Sequence, residues 1–115
     1  MKQTPPLISF ITICYNGLDD TCMLIESLRD TISSVSYEII VVDNASRQDE
    51  ASLIQERYPF VRTLRSEKNL GFSGGNNLGI QIAQGKYLFL INNDTYLTED
   101  GLPALIERLE SDPRI

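Results

Sequence analysis

Asn92-Asn93-Asp94 stands directly behind the apolar run Tyr87-Leu-Phe-Leu-Ile91. Two amides and a carboxylate at the end of a buried strand place oxygen donors at a sheet edge. Hard divalent cations prefer such ligands, and a cation held there can in turn hold a diphosphate. The same residues also make good turns, because Asn and Asp side chains bond their own backbone. Two earlier apolar runs end alike: residues 7–14 run into Tyr15-Asn16, and residues 37–42 into Asp43-Asn44. In a parallel sheet all these tips share one edge. Ligands of open α/β sheets bind beyond the C-terminal ends of the strands. The convergence of polar tips points to a ligand site more strongly than any one tip alone.

Each tip residue has a chemical and a structural reading. Asp43 can accept a hydrogen bond from a base or a ribose, or it can cap a turn. Asn16 can touch a ligand or hold a loop backbone through its amide. Asn69-Leu-Gly-Phe-Ser-Gly-Gly-Asn-Asn77 reads as a glycine-rich loop that opens a helix. Free N–H groups at such a helix start can meet an anion, and the loop can equally be a turn without a ligand. Phe72 is the aromatic to watch, since it sits in this polar segment. Arg65 is the basic residue placed to reach the edge. Two phosphate signatures are excluded: Gly85-Lys86 is followed by Tyr87 and not by Ser or Thr, and no G-x-G-x-x-G follows the first apolar run.

The elements that must position these residues alternate. Strands are expected over residues 7–14, 37–42, 61–64 and 87–92, rich in β-branched and aromatic residues. A helix is expected over 21–32, where Met23, Leu24, Leu28 and Ile32 recur near helical spacing. The spacing Ser46-x-x-Asp49 reads as a capping box opening a second helix through Arg57. A third helix is expected over 76–84, with Leu78 and Ile82 inward and Gly85 as its stop. Leu102, Leu105, Ile106 and Leu109 mark a fourth. Apolar strands alternating with helices predict an α/β fold, a Rossmann-like parallel sheet with helices on both faces.

Composition bounds the function. An apolar fraction of 42% and a charged fraction of 23% are those of a globular domain. A net charge of −6 argues against nucleic acid, which demands clustered Lys and Arg. There is no histidine, and Cys14 and Cys22 form no CxxC, which excludes a zinc cluster. The cysteines are expected as buried small hydrophobes without a disulfide. No apolar run reaches the ~20 residues of a membrane span, so a cytoplasmic setting is expected, with association at the inner membrane face left open for a longer protein.

Four blocks together resemble the family 2 glycosyltransferases of GT-A fold: Ile8-Ser-Phe-Ile-Thr-Ile-Cys-Tyr-Asn16, Tyr37-Glu-Ile-Ile-Val-Val-Asp-Asn-Ala-Ser46, Asn69-Leu-Gly-Phe-Ser-Gly-Gly-Asn-Asn-Leu-Gly-Ile80 and Leu88-Phe-Leu-Ile-Asn-Asn-Asp-Thr95. The last two look most like a rhamnosyltransferase-like subgroup. The resemblance implies the part of such a domain that binds a nucleotide-diphosphate sugar, UDP- or dTDP-linked. It implies Thr12, Tyr15 and Asn16 lining the nucleotide pocket, with Asp43 on the base imide. Asn44, Asn69, Gly74, Asn77, Asn92 and Asn93 join them as candidate donor-binding residues. Asn92 and Asp94 fall on the outer positions of the family's D-x-D motif, so Asp94 is the candidate ligand of a divalent metal, Mn or Mg, while Asn92 departs from the motif. The family's general base falls beyond Ile115. No catalytic residue is therefore assigned, and the 115 residues by themselves are expected to be inactive. The acceptor is expected to be a glycan or lipid-linked hydroxyl. An open edge beside the last strand is expected to favour a homo-oligomer. A nucleotidyltransferase-like domain and a non-catalytic flavodoxin-like interaction domain are the alternatives.

Overall fold

A computed structural model describes residues 5–95, 97, 100, 101, 107, 108, 110 and 111. Chain order is β1 (Ile8–Cys14), α1 (Leu18–Thr31), β2 (Tyr37–Asp43), α2 (Glu50–Arg57), β3 (Arg62–Arg65), α3 (Gly71–Ile82) and β4 (Tyr87–Leu90). The strands form one parallel sheet in the order β3-β2-β1-β4. The predicted α/β architecture is observed, and the first and fourth strands are neighbours.

Strand periodicity sorts the core into two layers. Phe10, Cys14, Ile39 and Val41 pack with Leu24, Ile25, Leu28 and Ile54 from α1 and α2. Ile11, Ile40 and Val42 face the other way and meet Leu78 and Ile82 of α3. Helices therefore cover both faces. Both cysteines are buried and free, as expected, and burial pushes both thiols above their ordinary range. No described helix is long and apolar enough to cross a membrane.

Helix starts differ from the sequence expectation for physical reasons. Helix α1 begins at Leu18, three residues early, because Thr21 N and Thr21 Oγ1 both donate to Gly17 O at 3.0 and 2.9 Å. Helix α2 begins at Glu50 and is capped by Asp49, whose Oδ1 accepts from Ser52 N at 3.0 Å. Ser46 is not its cap; its hydroxyl bonds Glu50 at 3.1 Å.

The largest difference is at α3. The segment read as a glycine-rich loop is already helix from Gly71 onward. Its glycines serve close packing. A Cβ on Gly79 would sit 2.5 Å from Ile11 Cγ2, and one on Gly75 would sit 2.8 Å from Ile13 Cδ1. Gly85 is likewise no left-handed stop. Positive φ among the described glycines is confined to Gly71, and a Gly85 Cβ would fall 2.6 Å from Ser9 N. The fourth predicted helix lies mostly outside the described residues, where residues 107, 108, 110 and 111 are helical.

Candidate functional site

All four strands point their C-terminal ends to one edge, where the predicted tips do converge. A pocket of about 400 Å³ opens there between the start of α3 and the segment after β4. Asn44, Asn69, Asn92, Asn93 and Asp94 of the predicted set line it. Ile13 and Ile91 supply apolar wall, and Gly71, Phe72 and Asn76 contribute from α3.

The amides are held by identifiable bonds. Asn44, directly behind β2, is buried and bridges to the α3 start: Nδ2 donates to Gly71 O at 3.0 Å and Oδ1 accepts from Leu70 N at 2.9 Å. Asn69 Oδ1 accepts from Gly71 N at 2.8 Å. Leu70, the N-cap of α3, gives no side-chain cap, so the helix relies on these neighbouring amides for its first N–H and for its placement on β2. Asn93 Nδ2 donates to Thr21 Oγ1 at 3.2 Å, tying the segment behind β4 to α1. Asn92 and Asp94 are exposed. Among the described residues Asp94 has no hydrogen-bond or ion-pair partner, so its oxygens are open to the pocket mouth.

Asp43 departs from expectation. It is fully buried, and its carboxylate is already committed. Ser46 N reaches Oδ1 at 3.0 Å, while Glu50 N, Ala51 N and an Arg65 guanidinium nitrogen reach Oδ2 at 3.0, 3.2 and 2.5 Å. Burial alone would raise its pKa, but the hydrogen bonds from Ser46, Ala51 and Arg65 outweigh it and hold the carboxyl below its usual range. Asp43 thus anchors the start of α2 and offers a base no open oxygen. Arg65 is corrected with it. Its guanidinium also donates to Gln48 O and Ser46 O, both at 2.9 Å, and so is consumed by the fold.

The remaining predicted residues lie elsewhere. Tyr15 is 53% exposed at the β1 tip. Asn16, at φ +51°, binds Arg47 N at 2.8 Å and lines a separate shallow pocket with Gly17, Gln48 and Glu50. Thr12 is 1% exposed in the core and is not part of the α3 pocket. Gly74 is half-buried inside α3, and Asn77 is exposed. Sequence reasoning chose Asn77 over Asn76, and the helical register decides the reverse. Asn76, on the buried side with Gly75 and Gly79, is the one lining the pocket.

Cys14, Asp43 and Glu50 bring potential ligand atoms within 4.8 Å of one another, a possible acidic cluster. Its chemistry fits a metal poorly. The Asp43 oxygens are taken, Glu50 Oε1 accepts from Gly17 N and Ser46 Oγ at 3.1 Å each, and burial followed by the Asp43 and Glu50 charges keeps the Cys14 thiol protonated. The cluster is a hydrogen-bonded knot beneath the β1 and β2 tips.

A parallel α/β sheet with a polar pocket at its C-terminal edge is an architecture that binds ligands at that edge. The sequence model for "Glycosyl transferase family 2" matches residues 9–115, and the chain belongs to this family. The chain is 30% identical to the succinoglycan biosynthesis protein ExoO of Rhizobium meliloti over 92% of its own length and 30% of that protein. It is 28% identical to the chondroitin synthase of Escherichia coli over 93% of its length and 16% of the synthase. The crystal structure of S. aureus TarS 1-349 in complex with UDP shares the fold at a TM-score of 0.76 and 23% identity, over 90% of this chain and 32% of that one. The chain thus spans about a third or less of these relatives.

Proposed function

We propose that these residues form the donor-binding part of a glycosyltransferase, holding a UDP- or dTDP-linked sugar at the pocket between α3 and the β4 tip. The observation that carries this is the gathering of Asn44, Asn69, Asn92, Asn93 and Asp94 around one cavity at the sheet's C-terminal edge. TarS, of the same fold, has been solved with UDP and with UDP-GlcNAc. In this reading the whole protein transfers the sugar to a glycan or lipid-linked hydroxyl, and the acceptor side with its general base comes from outside these 115 residues. A rhamnosyltransferase-like specificity is the finer proposal that the α3 and β4 motifs suggest.

The donor set at the pocket mouth fits a divalent cation of the Mg or Mn type. Asp94 offers an unpartnered carboxylate and Asn92 an exposed amide oxygen beside it. Mg²⁺ is commonly held by one or two carboxylates plus substrate phosphates, with no full protein cage. Such a cation supplies charge neutralisation for the leaving diphosphate. The chain's own residues do the rest: Asn44 and Asn69 fix the start of α3, and Asn93 fixes the segment carrying Asp94.

Calorimetric titration with UDP and dTDP, each with and without Mg²⁺ or Mn²⁺, tests this. Binding should strengthen with the cation, and Asp94→Ala should remove most of that gain. Equal affinity in both conditions would defeat the metal assignment, and no binding of either nucleotide would defeat the donor-binding reading.

A further inference from the structure

The α3 wall of the pocket carries one polar group that the fold leaves without a partner. Asn76 is 5% exposed, it lines the pocket, and its Nδ2 makes no hydrogen bond among the described residues. Buried donors are almost always satisfied, and leaving one unmade costs free energy. An unmet donor on a residue that lines a cavity calls for a partner, and a group entering the cavity can supply one.

We propose that Asn76 is a specificity-determining residue whose amide donates to a hydroxyl oxygen of the donor's sugar ring, with Phe72 beside it facing the ring's C–H surface. The proposal rests on the donor-binding reading above and deepens it. Three observations separate the sugar from the rest of the donor. First, among the described residues the polar lining of the pocket is amides and one carboxylate, with no Lys or Arg. Amides offer both donors and acceptors, which matches hydroxyls; a diphosphate only accepts, and it carries charge. Second, Asp94 and Asn76 line the same cavity. The sugar is bonded directly to the terminal phosphate, whereas a further phosphate and a ribose separate the base from it. A diphosphate anchored at Asp94 therefore leaves the sugar as the neighbour of Asn76. Third, the cavity of about 400 Å³ is large enough to take a pyranose ring beside the Asp94 mouth. Phe72, 65% exposed at this wall, supplies the apolar face that one side of a pyranose presents.

The experiment compares UDP and dTDP with UDP-glucose, UDP-GlcNAc and dTDP-rhamnose by calorimetry, on the wild type, Asn76→Ala and Asn76→Asp. The wild type should bind at least one sugar nucleotide more tightly than its parent diphosphate. Both variants should shrink that preference about fivefold or more, with affinity for the parent diphosphate held within about twofold for Asn76→Ala. The unliganded Asn76→Ala protein should melt no lower than wild type, because it loses a donor that bonds nothing. Parallel loss of affinity for diphosphate and sugar nucleotide would overturn the proposal, as would an unchanged preference or a wild type without one. A lowered melting temperature with the preference intact would make Asn76 purely structural. Failure of the wild type to bind any nucleotide would instead strike the underlying donor-binding reading.

Discussion

At the scale of single residues, Asp43 shows why residue type does not reveal residue role. Its place at a strand tip was legible in the run of apolar residues before it. Which of its lone pairs were free was not, because Ser46, Glu50, Ala51 and Arg65 converge only in the folded chain. Hydrogen bonds that favour the ionised form depress the folded pKa. The sign follows: a depressed carboxyl stabilises the fold above its unfolded pKa, ~3.9, and that contribution is lost as pH falls through the lower folded value. Urea unfolding from neutral pH down through this window should show the loss. Asp43→Asn should be less stable at pH 7 by about 3 kcal/mol, since it breaks a buried charge pair, and its stability should fall less steeply with acid. An unchanged acid slope would remove Asp43 from the ledger of acid sensitivity. Asp94 contrasts with it: exposed at the pocket, its carboxylate keeps its oxygens uncommitted among the described residues.

Among the elements, α3 was hardest to read. Gly71, Gly74, Gly75 and Gly79 lower intrinsic helix propensity, so the helix was expected to begin only near residue 76. The sheet supplies what propensity lacks. Without side chains at Gly75 and Gly79, α3 lies close over Ile11 and Ile13, and burial there stabilises it. Asn76 reaches the pocket wall only because the helix starts at Gly71 and so turns that position inward. Gly79→Ala therefore pits a gain in helix propensity of roughly 1 kcal/mol against overpacking of ~1–3 kcal/mol. Ile11 Cγ2 at 2.5 Å belongs to a β-branched side chain inside the sheet and cannot retreat. Net destabilisation of up to about 2 kcal/mol is expected. Gly75→Ala should cost less, because its nearest contact is Cδ1 at the movable end of Ile13 at 2.8 Å, with Asn44 Nδ2 farther off at 3.2 Å. Thermal melts of the two variants give the comparison, and equal stability would mean that α3 shifts freely on the sheet. The strands, by contrast, were legible to within two residues, since two-sided burial demands apolar runs that no propensity conflict obscures.

For the molecule as a whole, the consequence of the strand order lies at β4. This strand pairs with β1 on one side, and its other side carries no strand among the described residues. Leu88 and Leu90 are 46% and 45% exposed, whereas Tyr87 and Phe89 pack into the core. Nothing in Leu88-Phe-Leu-Ile91 blunts the edge, where natural edges usually place Lys, Pro or a bulge. Unpaired backbone groups beside exposed leucines favour pairing with a second copy. Light scattering at micromolar concentration should find a dimer or larger species, and Leu88→Lys with Leu90→Lys should return it to monomer. Because both side chains are already half exposed, the paired substitutions should lower the stability of the fold only slightly, so a monomeric variant would report on association and not on unfolding. A wild-type monomer whose Leu88 and Leu90 amides exchange rapidly would retain the open edge and reject association across it. A monomer with slow exchange there would mean that another part of the chain already covers β4.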